Sequence, residues 1–133
     1  MKYLLDTNVC IQVLRGSLPQ IKSRIAAIRH DQIGIPAIVR FELVYGAWRS
    51  SNPEQKVALV QNFTSAFASV PVTNDVADSC GKIRAMLEKL GKPIGPYDLL
   101  IAATALANGL VLVTHNTREF MRIPGIQLED WEQ

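Results

Sequence analysis

In the amino-terminal segment Lys2-Tyr3-Leu4-Leu5-Asp6-Thr7-Asn8, a short apolar run ends in a carboxylate. The apolar residues predict a buried strand, and Asp6 follows that strand directly. A carboxylate in this position costs free energy unless a metal ion or a cationic partner compensates its charge. Ligands of open α/β sheets bind at the carboxyl ends of the strands. The stretch therefore predicts an α/β fold in which Asp6 belongs to a functional site.

Apolar segments of strand length alternate with helical patterns along the rest of the chain. Further strands are predicted at residues 33–35, 70–72, 110–113 and near 126–128. Helices are predicted at residues 8–15, 18–28, 37–47, 52–67, 74–90 and 99–107. Ile38, Phe41 and Tyr45 are expected on one apolar stripe of the third helix. The alternation predicts a parallel sheet flanked by helices.

The composition predicts one globular domain over residues 1–133, since 48% of the residues are hydrophobic. No segment approaches the roughly 20 apolar residues of a membrane span. The amino-terminal segment lacks the pattern of a signal peptide, so a cytoplasmic protein is expected. A net charge of +2 argues against a strongly electrostatic nucleic-acid binder, although it leaves room for local basic patches. Cys10 and Cys80 lack metal-site spacing, which favours buried, inert thiols.

Four acidic residues fall where an α/β fold places catalytic groups. Asp6 ends the first strand, Glu42 lies on the helix after the second, Asp98 begins a buried helix, and Glu119 follows the last long strand. Right-handed crossovers bring such positions to one edge of the sheet. Carboxylates that converge there repel one another, and a hard divalent ion such as Mg²⁺ relieves the repulsion. Such a site binds phosphates and activates water for attack on phosphorus.

Each acid also has an ordinary structural explanation when it is taken alone. Asp98 in a first helical turn is favoured by the helix dipole, and Glu42 and Glu119 resemble surface acids. One shared site explains all the acids together better than independent accidents. Neighbouring polar residues are expected to orient ligands or water. These supporting residues are Thr7, Asn8, Thr114 and Asn116. His115 could act in the same way or contact a substrate phosphate, although a loop histidine without a role is favoured.

Five segments carry a resemblance to a known family. They are Tyr3–Asn8, Arg40–Gly46, Ile94–Ala102, Val113–Phe120 and Leu128–Trp131. In this order they resemble the PIN-domain ribonucleases, particularly the VapC toxins of bacterial type II toxin–antitoxin pairs. The resemblance covers essentially the whole chain, and the segments are specific as a set.

The resemblance implies a PIN-domain, Rossmann-like α/β/α sandwich with a parallel sheet of four or five strands. It also implies an endoribonuclease that depends on Mg²⁺, with Mn²⁺ as a substitute. By matching position, Asp6 and Asp98 are the expected metal ligands, and Glu42 and Glu119 are the remaining catalytic acids. Many PIN domains have an aspartate where this chain has Asn116. That departure leaves open whether one or two metal ions bind.

The resemblance further implies the substrate and the partners. VapC-like enzymes cut structured RNA and so inhibit translation and growth, which suggests a tRNA anticodon loop, and specifically initiator tRNA, or a ribosomal RNA loop. A cognate VapB-type antitoxin would block the acidic site with a basic residue. A homodimer is also implied, with no membrane association.

Three other functions fit the sequence less well. A haloacid-dehalogenase-type phosphatase needs Asp-x-Asp, but Asn8 stands at the second position. A receiver-type signalling domain needs a lysine at a late strand end, where His115 and Asn116 lie instead. A PIN-like module that binds RNA or protein without catalysis usually lacks some of the acids, whereas Asp6, Glu42 and Asp98 are all present here. The nuclease interpretation is therefore favoured.

Overall fold

Five short strands and seven α-helices make up the fold in the computed structural model, which describes all 133 residues. The strands are β1 (Tyr3–Leu5), β2 (Ile33–Pro36), β3 (Ala68–Val70), β4 (Val111–Val113) and β5 (Gln127–Glu129). The helices are α1 (Thr7–Arg15), α2 (Pro19–Ala26), α3 (Ala37–Trp48), α4 (Pro53–Ser65), α5 (Asn74–Lys89), α6 (Pro96–Ala107) and α7 (Thr117–Phe120). A 3₁₀ turn at His30–Gln32 precedes β2.

The strands form one sheet in the order β3-β2-β1-β4-β5, and every neighbouring pair is parallel. β1 lies in the middle, where Tyr3 is in register with Ile33 on one side and Val111 on the other. The strand order changes direction between β1 and β4. Ligands of open parallel sheets bind at this kind of switch point, so the topology places a site beyond the ends of these two strands.

The helices form two groups that cover the sheet. Helices α1 to α4 pack on one another, and α5 packs along α6. Right-handed crossovers in opposite directions along the sheet put the two groups on opposite faces. The resulting α/β/α sandwich confirms the predicted fold class. None of the helices is long and apolar enough to cross a membrane.

The ends of α1 follow directly from the sequence. The Asp6 carboxylate caps its first turn, and Gly16 ends it with φ of 66°, a left-handed conformation that favours glycine. Cys10 on this helix is fully buried, as predicted, and burial together with the charge of Asp6 raises the pKa of its thiol well above the usual value. Cys80 is only partly buried.

The predicted position of β3 was wrong by two residues. The strand is Ala68–Val70 rather than 70–72, and it pairs with Gly34–Pro36 of β2. Pro71 has no N–H group and cannot extend the ladder. Phe67, predicted as the last apolar residue of α4, lies beyond the end of that helix at Ser65, although its ring still contacts the ring of Phe63 at 5.3 Å.

The predicted apolar stripe of α3 is only partly correct: Ile38 packs against the core, but the other two residues do not. Phe41 and Tyr45 lie on the same face of the helix as expected, but 46% and 53% of their surfaces are exposed. The buried face consists of Val39, Leu43 and Ala47 instead. Apolar residues occupy nearly every position of this helix, so their spacing alone does not indicate which face packs on the sheet.

Candidate active site

Asp6 lies at the switch point, where hydrogen bonds fix both its backbone and its carboxylate. Its backbone N–H donates to the Val113 carbonyl at 3.1 Å, which ties the end of β1 to the end of β4. The backbone N–H of Val9 donates to Oδ1 at 2.9 Å, and the Thr114 hydroxyl is also bonded to the carboxylate. Only 5% of Asp6 is exposed. A carboxylate fixed this firmly has little freedom to turn away from the site.

Burial raises the pKa of Asp6 from 3.8 to about 6. Removal from water disfavours the ionised form, and this is the largest cause. The bonds from Thr114 and Val9 act in the opposite direction, while the charges of Asp98 and Glu132 raise the pKa further. The local environment therefore opposes the negative charge that the sequence places here, as expected of a group that is completed by a cation.

Three of the four predicted acids line one cleft, which we call the carboxylate cleft. It has a volume of about 660 Å³. Its walls are Asp6, Thr7, Asn8, Ile11, Phe41, Glu42, Tyr45, Tyr97 and Asp98. Glu42 is oriented by the Thr7 hydroxyl, which donates to its Oε1 at 2.8 Å and so links α1 to α3. The cleft thus joins acids from three separate segments of the chain.

Asp98 enters the cleft from the first turn of α6, as predicted. Partial burial raises the pKa of its carboxyl group, and the charges of Glu119 and then Glu42 raise it further. Mutual repulsion of this kind shows that the acids act on one another electrostatically.

Glu119 lies outside the lining of the cleft, on the short helix α7. The Asn116 side-chain amide donates to its Oε2 at 3.0 Å, and the Asn116 backbone N–H donates to the Thr114 hydroxyl, also at 3.0 Å. Glu119 nevertheless raises the pKa of Asp98 through its charge. Glu119 is therefore close enough to Asp98 to act on its charge, and hydrogen bonds connect it through Asn116 to Thr114.

The carboxylate cleft has the chemistry of a divalent cation site. Asp6, Glu42 and Asp98 offer oxygen ligands, which Mg²⁺ and Mn²⁺ prefer. The raised pKa values of Asp6 and Asp98 show that neighbouring charge and burial both oppose ionisation, and a cation would reverse this effect. The residues present therefore fit a resident divalent ion.

A second group of possible metal ligands escaped the sequence prediction. His115, Asp130 and Glu132 each offer one ligand atom, and these atoms lie within 4.8 Å of one another. His115 Nδ1 lies 3.0 Å from Asp130 Oδ2, so this histidine has a partner rather than no role. Asp130 belongs to a segment that carried the family resemblance, which is the signal by which this group could have been found.

Three aromatic residues of the cleft also escaped prediction. Phe41 and Tyr45 were assigned to an apolar stripe, and Tyr97 received no role. The spacing of aromatic residues in a sequence does not distinguish a core face from an exposed face that lines a site.

Comparison with known proteins agrees with this geometry. Residues 3–126 match the PIN domain family. A tRNA(fMet)-specific endonuclease VapC from Salmonella typhimurium is 42% identical over 131 residues, which cover 98% of this chain and 98% of that protein. A chain in the crystal structure of DNA-bound VapBC from Salmonella typhimurium superposes with a TM-score of 0.93 at 42% identity, over 98% of each chain. VapBC2 from Rickettsia felis, bound to a promoter DNA fragment, gives a TM-score of 0.92 at 34% identity, over 98% of this chain and 99% of that one. The chain therefore belongs to the PIN domain family and, within it, to the VapC ribonucleases.

Proposed function

We propose that the 133 residues form a single PIN domain that acts as a metal-dependent toxin endoribonuclease of a VapBC-type pair. One observation carries the proposal: Asp6, Glu42 and Asp98 line one cleft at the switch point of a parallel sheet. The shared family of the chain gives this cleft its reaction class, the hydrolysis of phosphodiester bonds in RNA.

The proposed metal ligands are Asp6 and Asp98, with Mg²⁺ as the resident ion and Mn²⁺ as a substitute. When bound, the ion neutralises charge on the scissile phosphate and lowers the pKa of a coordinated water. Asn8 and Asn116 are assigned to orient ligands and water around this centre.

Glu42 is the proposed group that positions the attacking water and accepts its proton, because Thr7 fixes one of its oxygens and leaves the other available. The water oxygen would form a bond to phosphorus as the bond between phosphorus and the in-line 3′ oxygen breaks, and the departing 3′ oxygen would take up a proton from solvent. The products carry a 5′-phosphate and a 3′-hydroxyl. Glu119 adds to the negative charge around Asp98 that a bound cation would balance, and Thr114 contributes a hydrogen bond to the Asp6 carboxylate.

The proposed substrate is the anticodon loop of initiator tRNA. The Salmonella typhimurium relative is named a tRNA(fMet)-specific endonuclease, and it aligns over 98% of this chain. Cleavage of initiator tRNA would inhibit translation and growth. Because tRNA is a cytoplasmic substrate, we place the enzyme in the cytoplasm.

The proposed partner is a VapB-type antitoxin that covers the carboxylate cleft. Solved relatives of this chain are VapBC complexes. A basic antitoxin side chain among Asp6, Glu42 and Asp98 would replace the metal ion electrostatically. A homodimer of the toxin is part of the same proposal.

The deciding experiment is incubation of antitoxin-free protein with total bacterial RNA and Mg²⁺, followed by sequencing of fragment ends. Asp6→Ala and Asp98→Ala, and addition of a chelator, should each abolish cleavage. Asp78→Ala is the matched control, because this exposed aspartate lies on α5, away from the cleft. Cuts confined to one tRNA loop would support the proposal. No cleavage by folded protein would instead favour a module that binds RNA or protein without catalysis.

A further inference from the structure

Three exposed aromatic rings form one wall of the carboxylate cleft, and we call them the aromatic shelf: Phe41, Tyr45 and Tyr97. Their exposed fractions are 46%, 53% and 46%. The centroid of the Phe41 ring lies 5.4 Å from that of Tyr97, with the ring planes near perpendicular at 78°. It lies 6.4 Å from the Tyr45 centroid, with the planes at 27°. The rings contact one another and form a continuous surface.

Two rings of the shelf lie on one face of α3, and a positively charged side chain follows them on that face. Phe41, Tyr45 and Arg49 are spaced four residues apart, so each lies about 6 Å further along the same face of the helix. The Arg49 guanidinium lies 5.5 Å from the Tyr45 ring centroid and donates a hydrogen bond to the Tyr45 hydroxyl at 3.1 Å. The shelf therefore presents successive aromatic rings followed by a positive charge.

The shelf is also tied to the acids by sequence. Phe41 directly precedes Glu42, and Tyr97 directly precedes Asp98. Both acids and all three rings line the same cleft. A phosphate that reaches the carboxylates is therefore flanked by the shelf, and the nucleotides next to that phosphate lie within reach of the rings.

We propose that the aromatic shelf stacks the unpaired bases beside the scissile phosphate, and that Arg49 contacts the RNA backbone at its far end. The inference rests on the proposed nuclease function and specifies its substrate as RNA with unstacked bases. Aromatic side chains stack on the flat faces of unpaired bases in single-stranded loops, whatever the RNA sequence. Paired bases inside a duplex cannot expose those faces, so the shelf selects single-stranded loops. An apolar protein segment could also pack on the rings, but it would not supply the negative charge that Arg49 attracts or the phosphodiester group that the cleft hydrolyses.

The test uses Asp98→Asn protein with Mg²⁺, so that RNA binds without being cut. The probes are an RNA hairpin with 2-aminopurine in its loop and a fully paired duplex of equal length. We expect the fluorescence of 2-aminopurine to fall on binding, since stacking quenches it. Phe41→Ala or Tyr45→Ala should abolish the quenching and weaken hairpin binding roughly tenfold, while Tyr45→Phe, which keeps the ring, retains both. Trp48→Ala is the matched control, because Trp48 is 56% exposed on the same helix but does not line the cleft.

The outcomes separate the shelf from the nuclease function. Quenching and affinity unchanged in Phe41→Ala and Tyr45→Ala would overturn the shelf, even if the wild-type protein cleaves RNA. Equal loss of hairpin and duplex binding would also overturn it, as would an effect of these variants on self-association alone. Quenching that depends on the rings, together with no RNA cleavage by the wild-type protein, would overturn the nuclease function and support the shelf.

Discussion

The last residues of the two central strands stabilise the fold by their burial. The residues that directly follow them form part of the site, and burial of the carboxylate there opposes folding. Leu5 and Val113 are fully buried in the apolar core, while Asp6 and Thr114, the next residue in each case, are buried polar groups. Burial of the leucine and the valine removes apolar surface from water and stabilises the fold. Burial of the carboxylate raises its pKa to about 6 and therefore opposes folding at neutral pH.

The site depends on the core for its geometry, whereas the buried charge of the site does not stabilise the core. The backbone bond from Asp6 to the Val113 carbonyl transmits the position of the sheet to the carboxylate. Substitutions in the core should therefore reduce stability, and substitutions at the site should mainly reduce activity.

The largest expected change in stability comes from a substitution in the apolar core. Leu112 in β4 is fully buried, so Leu112→Ala should lower the free energy of unfolding by about 2–5 kcal/mol through lost burial and a residual cavity. Urea unfolding measures the change. Leu90, which is 63% exposed, is the control, and Leu90→Ala should change stability by less than about 0.5 kcal/mol. Equal effects of the two substitutions would contradict the assignment of the core.

Asp6→Asn should have the opposite effect and increase the free energy of unfolding at pH 8 in the absence of metal. The increase should be up to about 3 kcal/mol, since each pKa unit corresponds to 1.36 kcal/mol. The amide keeps the cap on α1 but carries no charge. The pKa of Asp6 is raised on folding, from 3.8 to about 6. The destabilisation by Asp6 is therefore absent below pH 3.8, grows as the pH rises from 3.8 to about 6, and is complete above about pH 6.

Thermal melting of wild type and Asp6→Asn across this pH range checks the prediction. The advantage of the variant should be constant above pH 7 and disappear as the pH falls toward 4. A variant that is less stable than wild type at pH 8 would show that the carboxylate stabilises the fold. A difference that is independent of pH would show that ionisation of Asp6 is not its cause.

Divalent ions should raise the melting temperature by relieving repulsion in the cleft. At an ion concentration ten times the dissociation constant, the gain is about 1.4 kcal/mol, and a chelator should reverse it. Asp98→Asn should lose the gain, whereas Asp78→Asn should keep it. His115→Ala tests the other group of possible ligands. Loss of the gain in His115→Ala but not in Asp98→Asn would move the metal site to His115, Asp130 and Glu132.

The smallest expected effect on stability is that of Thr7→Val, which removes the hydrogen bond to Glu42. Stability should fall by about 1 kcal/mol, the usual net value of one such bond. Cleavage should fall roughly tenfold, because Glu42 loses the partner that orients it. Thr7→Ser should restore both. Full activity in Thr7→Val, measured as initial cleavage rate, would show that the orientation of Glu42 does not matter.

Much of the fold and part of the site could be predicted because the relevant features are local. Apolar segments that alternate with helical patterns indicated the parallel sheet, and the position of Asp6 after a strand indicated the switch point. The first-turn position of Asp98 was likewise visible from the loop that precedes α6. Each of these depends on residues adjacent in sequence.

The features that could not be predicted depend on tertiary packing. The orientation of α3 is set by its contacts with the sheet and α4, so Phe41 and Tyr45 could not be assigned to the cleft. The position of Glu119 depends on the turn of α7 and on its bond with Asn116. The meeting of His115 with Asp130 joins two segments that only the pairing of β4 with β5 brings together.

The central position of β1 has a consequence for biosynthesis. β1 is synthesised first, but its neighbour β4 is made more than one hundred residues later. At translation rates of roughly 5–20 residues per second, the two strands are separated by roughly 5–20 seconds. Throughout this interval, the bond between Asp6 and Val113 cannot form and the cleft is incomplete. A nascent chain of this topology therefore has no assembled cleft while most of it is still being translated, so any activity that needs the cleft begins only after β4 has been made.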